Sequence, residues 1–519
     1  MYNHNRAATL LAHADATPEK VALLHEGRSW TFHDLKLAAL QNAAALQRKG
    51  FRQGDRIGLL MSTCPEFIVL EFAAFILGGT VVPLNSHYTA AEIEHILVGG
   101  RLGYIVHEDE FSSRLQDAMR NADTQVRSFV LSRTSDPNDG LRYPEGWNYE
   151  EPFPALASVS PLEPALLLTT SATTGKAKLV VITAGNMRQN YDRHAEWLGV
   201  TRQDVVLGAL PLNNTFGQNQ CINLMAFAGM KLVLLSKFDA QQCLQAIEQH
   251  SCTFMPLVPT MLHKMLFAEG SESYDLSSLR TILVGGAPVP AELLRQTQKQ
   301  IGKNLTVLTG YGLSESTALS TMHEVRLGED GEIVRAKTVG KPVDGVDVEV
   351  RRGDGTVAAV GEVGEIVVRG PNVCAGYFEQ PDETAKTIVD GWLYTGDLGT
   401  FDAEGYLFLI DRKKDLIIRG GANIYPAEVE EVLYDTGMVA EAGVIGQPDV
   451  VFGEVPVAFV VLKPGSEASV EILQDFILQR LARYKVPVAI HVLSELPKGP
   501  TGKILRRGLV QYLDRTAAD

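Results

Sequence analysis

Short apolar runs that recur between helix-like segments constrain this chain more than any other feature. Residues 56–61 (RIGLLM), 80–83 (TVVP), 104–107 (YIVH) and 128–131 (SFVL) read as buried strands, with a helix predicted over 64–77. The rhythm repeats at 204–209, 231–235, 253–258, 280–284 and 304–308, with helical segments between most of them. Such alternation predicts sheets built with helical crossovers. Residues 133–164, rich in Pro, Ser, Asp and Gly, interrupt the pattern and read as a surface connection. From about residue 337 the segments shorten, and Gly353-Asp354-Gly355 marks a hairpin, so a small β-rich subdomain is expected. A mixed α/β tail follows residue 410. At 519 residues one core is not enough. The expected fold is therefore α/β multidomain, with a boundary near Asp411–Lys414. The large domain, 1–410, has two α/β subdomains plus the β-rich one, and a small α+β domain occupies 411–519.

Composition removes several classes of function. A net charge of −15 argues against general affinity for nucleic acid or anionic membrane, while leaving room for local basic sites. No run of 18 apolar residues predicts a membrane span, and the start, MYNHNRAATLLAHADATPEK, lacks the apolar core of a signal peptide. The five cysteines are scattered without a CxxC pair, so neither zinc nor a disulfide framework is expected, and a reducing, cytoplasmic setting fits.

The strongest local signal is TTSATTGKAK at 169–178, which follows the apolar run ALLL. Hydroxyls, a glycine and lysines on one turn after a strand can cradle and neutralise phosphates. Taken alone, the run also fits a solvated Ser/Thr-rich loop. It is not a Walker A loop, because Thr170 stands at the first glycine position and Ala177 follows Lys176. At 310–315, GYGLSE places Tyr311 between Gly310 and Gly312, suiting a ring that lies on a purine, and Glu315 can hold magnesium. A tight turn with a structural tyrosine is its plainer reading. GGAP at 285–288 offers small residues for the close approach of a flat ring, or simply a helix entry. In LYTGDLG at 393–399, Asp397 can bind a ribose diol. DRKKDLIIRGGANIYPAE at 411–428 and PKGPTGK at 497–503 complete the series.

The order and spacing of these motifs resemble the adenylate-forming superfamily, which includes acyl- and aryl-CoA synthetases, luciferases and peptide synthetase adenylation domains. The resemblance runs from about residue 20 to about 507. It implies ATP, Mg2+ and coenzyme A as cosubstrates and cofactor. The family's phosphate loop, TSGTTGxPKG, maps onto Thr170, Ser171, Thr173, Thr174, Gly175 and Lys178, with Ala172, Ala177 and Leu179 replacing Gly, Pro and Gly. The nucleotide site carries over to Gly286, Ala287, Pro288, Gly310, Tyr311, Gly312 and Ser314. Glu315 falls at the magnesium ligand, Asp397 at the ribose ligand, and Arg412 near it. Lys503 matches the lysine that bridges substrate carboxylate and ATP. Lys414 sits where the small, mobile domain rotates, and Gly420 and Gly421 would then face the pantetheine arm. Lys178, Glu315 and Lys503 are the catalytic candidates.

One departure concerns the second half-reaction. CoA ligases of this family often read LPLFHxFG, whereas residues 210–217 are LPLNNTFG, with Asn214 in place of the common histidine. Amino-acid-activating relatives carry an aspartate just beyond this strand, and none is present at 213–216, which disfavours an α-amino acid. The stretch FGQNQCINLMAFAG reads as a helix lining an acyl pocket, with Asn214, Phe216 and Gln218 as substrate-facing candidates. Its apolar residues favour a fatty or aryl acid, the fatty acid slightly. The amides at 218–220 offer a handle for a polar substituent or merely satisfy the helix. The thiol acceptor is expected to be CoA, with an acyl carrier protein as the alternative. A degenerate nucleotide- or acyl-binding protein is disfavoured by the retained Lys503, Glu315 and Asp397. Similar enzymes include homodimers, though no surface signal here marks one.

Overall fold

The computed structural model describes residues 3–122, 125–132, 144, 151–170, 177–287, 289–302, 304–317, 319–328, 332–335, 337–466, 468–498 and 504–516. They form two compact units, one of residues 1–348 and 368–393, the other of residues 349–367 and 394–519. Packing thus groups 349–367 and 394–410 with the C-terminal residues. A division by packing and a point of rotation are different properties, and the expected swivel at Lys414 lies within the second unit.

The first unit contains both predicted α/β series. One sheet has six strands, in the order Arg127–Leu131, Tyr104–Glu108, Arg56–Leu60, Thr80–Leu84, Pro164–Thr169 and Leu179–Thr183. All neighbours are parallel except the last two, which pair antiparallel with Thr169 opposite Leu179. Strands Thr80–Leu84 and Tyr104–Glu108 are buried throughout, and that is why they read as continuous apolar runs instead of alternating ones. The helix Pro65–Ile76 starts on a proline at its first turn and is buried on every face, Glu71 included.

The second sheet runs Thr321–Leu327, Thr306–Tyr311, Thr281–Val284, Phe254–Leu257, Val205–Gly208, Lys231–Leu234, Val21–His25 and Arg28–Thr31. Its six inner strands are parallel. Every strand candidate of the two series is a strand here, displaced by no more than three residues at an end. The first two strands of the chain escaped prediction. They join this sheet beside Lys231–Leu234, about two hundred residues away.

In the second unit, a five-stranded sheet orders as Ala422–Ile424, Ile417–Arg419, Gly453–Leu462 and Val439–Asp449, with Ala489–Val492 parallel to Gly453–Leu462. Period-two alternation splits its core. Val444, Ala458 and Val460 pack with Val429, Leu433, Leu473 and Ile477 of two helices, while Ile445, Val457 and Phe459 pack with Leu509 of the last helix. The Gly-Asp-Gly hairpin forms as expected, with Arg351 bridged to Val357. No helix among the described residues is long and apolar enough to cross a membrane.

Candidate active site

The phosphate loop joins the strand Pro164–Thr169 to the antiparallel edge strand Leu179–Thr183, and the Thr170 amide donates to the Lys178 carbonyl at 3.0 Å to close its base. Ser171, Thr173, Thr174 and Gly175 lie outside the described residues, as do Pro288 and Lys503. Beyond the loop, Thr183 caps the following helix in a reciprocal capping box with Asn186. The Asn186 amide also donates to the carbonyls of Pro371 and Val373, at 2.9 and 2.8 Å. Segment 374–378 is thereby laid against the strand Leu179–Thr183. Val181 and Gly376, Ala375 and Val181, and Phe378 and Leu179 exchange backbone hydrogen bonds of 2.8–3.0 Å.

This register brings two predicted catalytic residues to one tyrosine. The Tyr377 hydroxyl donates to Glu315 Oε1 at 2.9 Å, and the Lys178 ammonium lies 4.6 Å from the Tyr377 ring centroid. Burial and the Glu315 carboxylate push the Tyr377 phenol well above its ordinary range, so it stays a donor. Lys178 Nζ also pairs with Glu383 Oε2 at 2.7 Å. The Glu315 carbonyl accepts from the Cys374 amide at 2.8 Å, a second tie to the same segment. Two residues on, Thr317 holds φ +58°, a costly conformation for a β-branched residue. It is kept there from both sides, since its hydroxyl donates to the Asn372 carbonyl at 2.6 Å and its carbonyl accepts from the Asn219 amide.

Gly286 and Ala287 are exposed, and Gly286 has φ +80°, which suits glycine. Gly310 is a packing glycine. A Cβ there would come within 2.8 Å of the Thr321 carbonyl across the sheet. Tyr311 is buried. Ser314 Oγ accepts from Thr215 Oγ1 at 2.8 Å, which fixes the start of the 215–228 helix against the GYGLSE turn. Phe216 faces Gly285 at a distance that would leave a Cβ only 3.4 Å from its ring.

The helix itself contains a π-helical turn, Gln218–Asn223, unseen in the sequence. Asn214 is its N-cap, accepting from the Gly217 amide at 2.9 Å. Its side chain thus has a structural task that the common histidine does not perform as well. Gln218 is buried, and its amide nitrogen donates to Glu71 Oε2 at 2.7 Å and to the Leu212 carbonyl at 2.9 Å. That nitrogen is turned to the protein and is no free handle for substrate. Burial raises the Glu71 carboxyl to about 7, opposed by Arg6 and by Gln218. The same helix holds His194 through Gln220 at 2.8 Å, and burial lowers that imidazole to about 4. Neither Glu71 nor His194 was anticipated. A carboxylate amid PEFIVLEFAAFI was the available signal for the first.

In the second unit, Asp397 and Arg412 face each other across two antiparallel strands, and the guanidinium meets Asp397 Oδ1 at 2.7 Å. Lys414 lies on the short helical turn Lys413–Asp415, its ammonium lowered by burial, with Asp415 opposing that shift and Arg412, Arg506 and Arg507 adding to it. Gly420 and Gly421 form a two-residue hairpin turn with φ +56° and +85°, which by itself calls for glycine. Sequence reading missed Arg506, which contacts Asp411 at 3.1 Å, Asp415 at 3.0 Å and Glu430 at 2.7 Å. No cluster of three or more His, Cys, Asp or Glu side chains suited to a metal occurs among the described residues.

Residues 10–378 match the AMP-binding enzyme family, and residues 428–503 match the AMP-binding enzyme C-terminal domain. A long-chain-fatty-acid–CoA ligase of Bacillus subtilis is 34% identical, over 95% of this chain and 92% of its own. A 2-succinylbenzoate–CoA ligase of Bacillus velezensis is 36% identical, over 96% of each. The O-succinylbenzoate coenzyme A synthetase of Bacillus subtilis, solved with ATP and magnesium ion, superposes with a TM-score of 0.84 at 33% identity, covering 96% of this chain and 98% of that one. The chain belongs to the AMP-binding enzyme family, among the acyl-CoA synthetases of the adenylate-forming superfamily.

Proposed function

We propose that this protein is an AMP-forming acid–thiol ligase. It joins a carboxylic acid to ATP as an acyl-adenylate, with release of pyrophosphate, and then passes the acyl group to the thiol of coenzyme A. The observation that carries the reading is the convergence of Lys178 and Glu315 on Tyr377 beside the base of the 170–178 loop. On this reading Lys178 is the cation for phosphate and Glu315 the carboxylate for Mg2+, and their shared contact with Tyr377 supports it.

A carboxylate is a poor acyl donor because its leaving oxygen is too basic. Attack of that oxygen on the α-phosphorus replaces it with AMP, a far better leaving group. Lys178 and Lys503 offset the negative charge that develops, and the loop groups Thr170, Ser171, Thr173, Thr174 and Gly175 position the phosphates. Glu315 fits Mg2+ because that ion is usually held by one or two carboxylates together with substrate phosphates, so no larger cage is needed. Mg2+ bound there supplies charge neutralisation. Tyr377, donating to one Glu315 oxygen, orients the carboxylate. Gly286, Ala287, Pro288, Gly310, Tyr311, Gly312 and Ser314 frame the adenine. Asp397 accepts from the ribose hydroxyls, with Arg412 fixing its rotamer. Rotation about Lys414 then withdraws Lys503 and admits the thiol past Gly420 and Gly421.

The acid is fatty or aryl. Relatives acting on a long-chain fatty acid and on 2-succinylbenzoate support both forms, and the buried, protein-directed Gln218 nitrogen supports an apolar body. The CoA ligases among the relatives favour CoA over a carrier protein. Pyrophosphate release with ATP and Mg2+, measured across fatty, aryl and amino acids with and without CoA, tests the reading. Release with a fatty or aryl acid and formation of its CoA thioester is the expected result. Release confined to amino acids, or none with any acid, would overturn it.

A further inference from the structure

Lys178 does not point into open solvent. Its ammonium is held between the Tyr377 ring, 4.6 Å from the centroid, and the Glu383 carboxylate, 2.7 Å away. Both partners come from one short stretch of chain. The Tyr377 amide donates to Thr384 Oγ1 at 2.9 Å, and that hydroxyl donates to the Gln380 carbonyl at 2.9 Å. Tyr377 and Glu383 are therefore a pre-set bracket, fixed on the strand Leu179–Thr183 that Lys178 immediately precedes.

Glu383 carries two lysines. Its Oε2 takes Lys178, and its Oε1 takes Lys386, also at 2.7 Å. A carboxylate held by both stays ionised, and its acidity is correspondingly raised, to a pKa of about 2, first by Lys178 and then by Lys386. The arrangement also makes the Lys178 contact releasable. When Lys178 leaves, Glu383 keeps Lys386 and is not stranded. The pair is also partly exposed, at 27% and 37% of the two side chains, so water screens it and its strength is modest.

We propose that Glu383 is an internal counter-ion for Lys178, occupying the lysine that phosphate must claim, so that it sets affinity for ATP without entering the chemistry. This rests on the reading of Lys178 as a phosphate ligand. Glu383 acts through Lys178 and is a positioning residue. Carboxylate and phosphate compete for one ammonium, and removing the carboxylate's charge favours phosphate.

The test uses the full-length protein and four variants, Glu383→Gln, Lys178→Gln, the double variant and Asp382→Asn as a neighbouring exposed control. ATP affinity is measured by calorimetry, and KM for ATP, KM for the acid and kcat by pyrophosphate release. Glu383→Gln should tighten ATP binding and lower KM for ATP by about two- to fivefold, the range that an exposed ion pair allows. The acid KM should not move, kcat should change by less than about twofold, and Asp382→Asn should resemble the parent. Lys178→Gln should weaken ATP binding, and Glu383→Gln should add nothing in that background. If Lys178→Gln weakens binding while Glu383→Gln leaves it unchanged or weaker, the counter-ion proposal falls and the phosphate role stands. An equal gain in the double variant would also sink the proposal, because Glu383 would then act elsewhere. If Lys178→Gln leaves ATP affinity intact, the phosphate role itself is wrong and the proposal falls with it.

Discussion

Asn214 shows how one residue can be legible as a departure and illegible in purpose. Sequence alone marks it as the place where a common histidine is missing. Only the start of the helix at Thr215 reveals that the amide caps it. Asn214→Ala should lower the free energy of unfolding by about 1 kcal/mol, measured by denaturant titration, with KM for the acid nearly unchanged. A large rise in acid KM without loss of stability would return the residue to substrate contact. Glu71 gives a sharper test. Its carboxyl is raised to about 7 in the folded chain, chiefly by burial, against an ordinary 4.5. Between those values the folded state keeps the proton and the unfolded state loses it. The carboxyl's contribution to stability is therefore full below pH 4.5 and falls as pH rises to about 7, by roughly 3 kcal/mol in all. His194, lowered to about 4, acts in the opposite sense, losing stability as pH falls below its ordinary 6.5. Comparing Glu71→Gln with the parent isolates the first effect. The variant should gain on the parent steadily from pH 4.5 to 7, and a constant difference across that window would refute the assignment.

Elements were legible where their pattern repeats over enough residues. The apolar strands of both sheets lie where predicted because burial on both faces forbids polar alternation, and the helix Pro65–Ile76 follows from the same logic. The π-helical turn Gln218–Asn223 was not legible, since six residues cannot distinguish a wider helical period from the usual one. Gly420 and Gly421 were singled out in the sequence as residues to face the pantetheine arm, but the hairpin turn they form, with two positive φ angles, was not foreseen. Arg506 belongs to the same scale. From the first turn of the last helix it joins Asp411, Asp415 and Glu430, and it is itself about one-fifth exposed while Asp411 is nearly buried. Nothing in the run KILRRGLV separates it from its neighbour Arg507. Arg506→Ala takes from the buried Asp411 carboxylate its ionic partner, leaving it only the Arg412 and Ala427 amides, and should destabilise the second unit by about 3 kcal/mol in thermal or denaturant unfolding. Arg506→Lys keeps the charge but loses the planar fork, and should fall between the two. Equal stability of all three proteins would show the cluster to be inconsequential.

At the scale of the whole molecule, strand type was readable but strand partnership was not. Val21–His25 extends a sheet beside Lys231–Leu234, and no local pattern announces a neighbour so distant in sequence. The same holds for function. Six motifs pointed to one reaction, yet the chemistry requires them to act in two successive steps with incompatible demands. Adenylation needs a cation at the reacting carboxylate, while thioester formation needs that place cleared for a thiol. If Lys503 serves the first step alone, its loss must divide the two half-reactions. Lys503→Ala should slow pyrophosphate release by about two to three orders of magnitude, the usual weight of one preorganised charge-stabilising contact. Supplied with a synthetic acyl-adenylate and CoA, the same variant should form thioester at a rate within a few-fold of the parent. Stability should be unaltered, which denaturant titration would verify. A variant equally slow in both steps would mean that Lys503 is not confined to adenylation, and rotation about Lys414 would lose its reason. A variant unimpaired in the first step would remove Lys503 from the mechanism and leave Lys178 and Glu315 to carry the charge without it.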